Sequence, residues 1–141
     1  MKKTIAALAI VLLAASASWA KGMAVVANSA FPKDSLTAAQ VKDIYLGKTG
    51  LLEGTRIQPI DQKDADSIKG DFLKKVVETT ADEYKVYWMK RAFREGGTPP
   101  GVKNSSDDVI NTVRDGKGSI GYVWEDEVKG RSGVKVILTI E

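Results

Sequence analysis

The residues best placed for chemistry are those of Ile60 to Phe72, reading IDQKDADSIKGDF, where an apolar run gives way to a polar stretch and then to apolar residues at helical spacing. A loop that leaves a strand and enters a helix is where open α/β sheets collect ligands, and free N–H groups at the helix start favour anions. Ser67 can cap the helix or donate its hydroxyl, while Ile68, Lys69 and Gly70 can present backbone amides. With Ser67 at zero on a helical wheel, Ile68, Phe72, Leu73, Val76 and Val77 span an arc from about 100° to 280°, and Lys69 falls near 200°. Lys69 is therefore expected on the buried side, its stem over the apolar face and its ammonium reaching toward the loop. An anion would meet Ser67 and Lys69 there. The competing expectation is that Asp66 or Ser67 merely caps the helix and that Lys69 pairs with Asp64 or Asp66 across an empty loop. Asp61, Asp64, Asp66 and Asp71 could hold a cation, but the spacing lacks the glycine turn and distal Glu of a calcium loop, so no metal is assigned.

Other chemistry is thin. The chain has neither His nor Cys, which removes disulfides, a thiol nucleophile and the commonest metal ligand and general base. No Gly-x-Ser-x-Gly occurs, and Asp107-Asp108 reads as the acidic first turn of a helix; no catalytic residue, enzyme activity or cofactor is assigned. Lys85, Lys90, Arg91 and Arg94 beside Tyr84 and Tyr87 read as a solvated face. Trp124, next to Glu125, Asp126 and Glu127, reads either as a partner contact or as a lid over the sheet edge.

The elements that would position these residues alternate. Met23 to Asn28 (MAVVAN) suits a strand covered on both faces. Thr37-Ala38-Ala39-Gln40 is a capping box opening a helix over 38–46 that Gly47 closes. Arg56 to Ile60 reads as a second strand, followed by the helix carrying Ile68 to Val77. Thr80 opens a third helix running to about Glu95, expected to bury Trp88, Met89, Ala92 and Phe93 and to stop at Gly96-Gly97. Thr98 to Gly101 must be a loop because of its paired prolines. Ser105 or Ser106 caps a fourth helix with Val109, Ile110 and Val113 on one face. Gly118 to Val123 is a strand whose internal glycine marks a bulge or a close approach, and Val134 to Ile140 is a last or edge strand. About four strands and four helices in interleaved order define an α/β domain with a mixed sheet.

Residues 1–20 read as a cleavable signal peptide: Lys2 and Lys3, an apolar run from Ile5 to Ala15, and small residues at Ser18-Trp19-Ala20 for cleavage, with Ala15-Ser16-Ala17 as a second cut site. The run is shorter than the roughly 20 residues that span a bilayer, so no membrane anchor is expected. Removing Lys2 and Lys3 from 21 basic residues leaves 19 against 18 acidic ones, a balance of +1 that argues against nucleic acid. Residues 21–141 are then one domain of ordinary size. An unanchored protein would be lost from a cell without an outer barrier, so the expected compartment is the periplasm.

Taken in order, VVAN (Val25 to Asn28), LTAAQVKDIYLGK (Leu36 to Lys48), IDQKDADSIKGDF, YWMKRAF (Tyr87 to Phe93) with GTPP (Gly97 to Pro100), and GSIGYV (Gly118 to Val123) resemble the second lobe of phosphate-type periplasmic substrate-binding proteins of ABC transporters, which have the type 2 periplasmic-binding fold. The resemblance covers nearly all of Ala24 to Ile140. It implies a single three-layer lobe, a mixed β-sheet flanked by helices. It also implies a ligand segment resembling Arg-Ser-x-Gly-Ser-Gly-Thr, against which this chain sets Gln62 near the Arg and Asp66-Ser67-Ile68 near the Ser-Gly-Thr. Full-length relatives carry a first lobe before the VVAN strand; here the leader is expected to run straight into the second. The candidate ligand residues are thus Gln62, Ser67, Ile68 and Lys69. The function implied is a non-catalytic periplasmic substrate-binding-like protein that binds an oxyanion such as phosphate or serves a transporter, sensor or porin component. The alternative is an interaction module, self-associating or docked on a partner, that has lost small-molecule binding.

Overall fold

A computed structural model describes residues 21–141. The signal-peptide expectation falls on residues 1–20, outside the described residues.

Five strands form one mixed sheet: β1 (Met23–Asn28), β4 (Gln58–Gln62), β5 (Gly101–Lys103), β6 (Ser119–Trp124) and β7 (Val134–Ile140), in the spatial order β5-β4-β6-β1-β7. β4 runs parallel to β5 and β6, and β1 runs antiparallel to β6 and β7. β2 (Leu51–Leu52) and β3 (Thr55–Arg56) form a small separate hairpin. The expected second strand over 56–60 is therefore two pieces, because Arg56 pairs with Leu51 whereas Gln58 and Pro59 pair with β6.

β1 is buried at every position, as its unbroken apolar run predicts. Met23, Val25 and Ala27 face a large core with α1 (Ala38–Tyr45), α2 (Ser67–Phe72) and α3 (Ala81–Glu95). Ala24 and Val26 face a smaller core with α4 (Ser106–Asp115) and α5 (Glu125–Val128). The result is a mixed sheet between two helical layers, the architecture expected. The bulge lies in the β1–β7 pairing, between Val25 and Val26. Gly121 serves close approach instead: a Cβ there would lie 2.5 Å from Val109 Cγ1 of α4.

The caps follow the sequence. Thr37 and Gln40 form the capping box of α1, and the Thr80 and Ser105 hydroxyls accept the N–H groups of Glu83 and Asp108. Gly96 ends α3 in the left-handed conformation. The helix begun by α2 passes directly into a π-helical turn, Leu73–Val77, which keeps Leu73, Val76 and Val77 buried.

One expectation about the core is corrected. Of the four α3 residues expected inside, only Trp88 is buried; Ala92 is exposed, Met89 is 63% exposed and Phe93 92%. Tyr84 takes the expected place of Ala92 beside Trp88, one turn earlier, so the buried stripe lies on another side of the helix.

Candidate functional site

The carboxyl end of β4 delivers three consecutive buried residues, Ile60, Asp61 and Gln62, to the loop before α2. Asp61 is only 2% exposed. Its Oδ1 accepts the Gln62 N–H at 2.9 Å and the Tyr122 hydroxyl, and its Oδ2 accepts the Tyr84 hydroxyl at 2.9 Å. Lys69 Nζ stands 3.9 Å from Oδ2 and 2.7 Å from Asp64 Oδ1. Burial pushes the Asp61 carboxyl above its ordinary range, while the Tyr122 hydroxyl, the Lys69 charge and the Tyr84 hydroxyl oppose that shift. Asp64, at the solvent edge, is held below its usual value by the Lys69 hydrogen bond and charge. Both tyrosine hydroxyls are raised, first by burial and then by the Asp61 carboxylate.

This knot joins two tyrosine hydroxyls, a lysine and two aspartates, and sequence reasoning missed it. Asp61 reads from sequence as one of four loop acids near a helix dipole, whereas it is a buried acceptor of two tyrosine hydroxyls, one of them on a ring that Phe72 covers. The Phe72 ring stacks on Tyr122 with centroids 3.9 Å apart and planes 8° from parallel. The available signal was the spacing of Tyr84 and Trp88, one turn apart on α3, which puts the Tyr84 hydroxyl on the buried side.

The four candidate ligand residues do not share one site. Gln62, Ser67 and Ile68 line a depression of about 260 Å³ with Ser105 and Ser106 at the start of α4, Asn104 and Trp124. Gln62 Nε2 donates to the Tyr122 carbonyl at 2.9 Å and to Ser106 Oγ at 3.4 Å, which fixes its orientation. Lys69 is only 7% exposed, on the buried side where the wheel puts it, but its ammonium turns to Asp64 and Asp61 in the neighbouring cleft. Its backbone N–H donates to the Asp66 carbonyl at 3.1 Å, so that amide is taken. Asp66 occupies the N-cap position without a side-chain capping bond and stands 3.9 Å from Lys63 Nζ. The depression therefore offers neutral donors, with the carboxylates of Asp66 and Glu127 in its wall and no lysine or arginine. Half-buried Trp124 walls it and so does more than cover a sheet edge.

The neighbouring cleft, about 360 Å³, lies between α3 and the β5 edge of the sheet. The Asp61–Lys69–Asp64 group lines one part, and Tyr84, Trp88, Met89, Ala92, Pro99 and Val102 supply mostly apolar walls. The buried Trp88 indole N–H makes no hydrogen bond. Among the described residues no cluster of three or more acidic side chains could hold a metal ion, and no helix is long and apolar enough to cross a membrane.

An α/β lobe with a polar depression at the strand ends is a general arrangement for collecting ligands. Solved structures place the fold more closely. A Clostridium perfringens protein described as a phosphate ABC transporter substrate-binding protein, with phosphate bound, matches with a TM-score of 0.66 and 20% identity, over 83% of this chain and 44% of that one. An ABC-type phosphate transport receptor from Vibrio cholerae matches with a TM-score of 0.64 and 19% identity, over 83% of this chain and 45% of that one. PstS from Borrelia burgdorferi matches with a TM-score of 0.65 and 15% identity, over 83% and 46%. At these identities the likeness establishes the fold, and the chain spans less than half the length of each of these proteins. No protein-family model and no curated protein matches the sequence.

Proposed function

We propose that the protein is a non-catalytic periplasmic binding module of the substrate-binding type, exported by cleavage near Lys21, that takes a small oxyanion such as phosphate weakly or serves a transporter. The observation that carries this reading is the fold likeness to phosphate-binding proteins, one of them solved with phosphate, together with a polar depression where β4 ends. Ser67 and the amide of Ile68 are its anion donors, joined by the Ser105 and Ser106 hydroxyls at the start of α4. Gln62, whose Nε2 already donates to the Tyr122 carbonyl and Ser106 Oγ, reaches an anion only by giving up one of those bonds. Lys69, held by Asp64, supports the loop electrostatically and reaches an anion only by leaving that carboxylate. Without a free cation, and with Asp66 and Glu127 nearby, the affinity belongs near the millimolar range, about −4 kcal/mol. The second reading, an interaction module without a small ligand, is favoured by those same two carboxylates.

Calorimetric titration with phosphate and sulfate decides between them. Heat that saturates near millimolar anion and is abolished by Ser67→Ala supports the first reading. Absence of binding up to about 100 mM, roughly a hundred times the expected Kd, leaves the second. If Lys69→Ala weakens binding tenfold, about 1.4 kcal/mol, the ammonium does swing to the anion. Mass spectrometry of the exported protein checks the start at Lys21; an intact Met1 in a soluble cytoplasmic fraction would overturn the periplasmic assignment.

A further inference from the structure

The outer face of α3 is apolar where a solvated helix should be polar. Phe93 is 92% exposed, Met89 63% and Val86 47%, and at 100° per residue the three fall within about 60° of one another on the side away from Tyr84. Single exposed apolar residues are ordinary, but three on one helical stripe, continued by Ala92, mark an interaction surface. The charges beside the stripe say what fits it. Glu83 stands in the first turn of α3, Arg94 in its last turn and Lys90 between them, all on one flank, and none of the three makes an ion pair among the described residues. A stripe with an acid at one end and a base at the other is complementary to itself turned end over end.

We propose that α3 is a homodimer interface, in which the α3 helices of two copies pack antiparallel about a two-fold axis near Met89. A two-fold contact must match each residue with its mate reciprocally. With the axis midway between Val86 and Phe93, Phe93 of each copy lies level with Val86 of the other and the two Met89 side chains meet at the centre. In such a pair the same flank of each helix faces the same flank of the other, so Glu83 of one copy comes within a turn of Arg94 of the second, while the two Lys90 ammoniums lie level beside the axis and must splay outward into solvent. The antiparallel arrangement also sets opposite helix dipole ends together. The surface is separate from the depression of Gln62 and Ser67, so dimerisation does not depend on ligand binding.

Sedimentation of the purified protein up to about 0.5 mM tests this, one helix pair being a small contact of modest affinity. The expected result is a reversible monomer–dimer equilibrium that Phe93→Asp weakens at least tenfold. Glu83→Arg and Arg94→Glu should each weaken it, and combining them should restore it, because the exchanged charges meet again across the axis. A generally sticky patch would not show that rescue. A monomer at every concentration, a dimer indifferent to Phe93→Asp, or a charge-swapped double variant weaker than either single one would overturn the proposal.

Discussion

Helices α3 and α4 carry the same kinds of sequence signal and are held to the sheet by different means. Both open on a hydroxyl cap and acidic first-turn residues. In α4 the apolar residues Val109, Ile110 and Val113 are wholly buried, pressed against β1 and β6, where Gly121 lets the helix approach. In α3 only Tyr84 and Trp88 are buried, and the helix is pinned by polar contacts. The Tyr84 hydroxyl donates to Asp61, the Tyr87 hydroxyl to the Leu46 carbonyl at 2.6 Å, and Arg91 Nη2 to the Gly47 carbonyl at 2.8 Å. Periodicity thus marks which residues of a helix are apolar, but only neighbouring elements decide which of those are covered. α4 has the sheet beneath its entire stripe. α3 lies beside the short edge strand β5, which leaves the far half of its apolar arc uncovered.

The sharpest break in this comparison is Ile110→Ala. Ile110 is fully buried in the smaller core, so truncation removes its transfer free energy and leaves a cavity under a helix held mainly by packing. The expected loss is about 2–5 kcal/mol, read as a lower urea midpoint with an unchanged slope. A loss below about 1 kcal/mol would mean that α4 can settle into the gap and is not fixed by shape.

The same distinction explains what the sequence made legible. Elements announced by local chemistry were readable: β1 from its unbroken run, the hydroxyl caps, the loop at the paired prolines, the strand around Gly121. The family resemblance of those segments in order supplied the layered lobe. The depression was legible in part, since Gln62, Ser67 and Ile68 do come together. Its failures are failures of long-range pairing. Nothing near Asp61 in sequence says that hydroxyls from positions 84 and 122 converge on it, and nothing near Lys69 says which of several aspartates its ammonium will meet. The inward placement assigned to Met89, Ala92 and Phe93 failed for the same reason, because a helical wheel shows faces and not neighbours.

A smaller effect tests the polar pins of α3. Tyr84→Phe removes one hydrogen bond to the buried Asp61 carboxyl. Burial raises the folded-state pKa of Asp61 above its unfolded value, so its contribution to stability is fully present below the unfolded pKa and is lost as pH rises through the folded one. The Tyr84 hydroxyl is among the groups opposing that rise. Without it the folded pKa moves higher and the loss with pH becomes deeper. The expected cost is about 0.5–1.5 kcal/mol where Asp61 is protonated, growing to about 1.5–3 kcal/mol where it is ionised. Denaturation midpoints of wild type and variant between acid and neutral pH measure the difference. A cost that stays flat, or shrinks as pH rises, would show that Tyr84 does not bear on the carboxylate's charge.

The smallest expected effect is the most discriminating between the helices. Phe93→Ala deletes an aromatic ring, a change that costs about 3–5 kcal/mol in a core. At 92% exposure the ring has almost no buried area to lose, so the packing contribution should vanish. What remains is helix propensity, in which alanine exceeds phenylalanine by a few tenths of a kcal/mol, at a position two residues before the end of α3 where fraying dilutes even that. The expected outcome in solution dilute enough to exclude association is stability within about 0.5 kcal/mol of wild type, on the stabilising side if it moves at all. Repeating the measurement at high concentration sharpens the contrast. If copies associate through α3, wild type gains stability with concentration by mass action and Phe93→Ala does not, so the two denaturation midpoints separate only as the protein is concentrated. A loss of more than about 1 kcal/mol already in dilute solution would mean that Phe93 is covered within its own chain, and α3 would then be held by packing on both sides as α4 is.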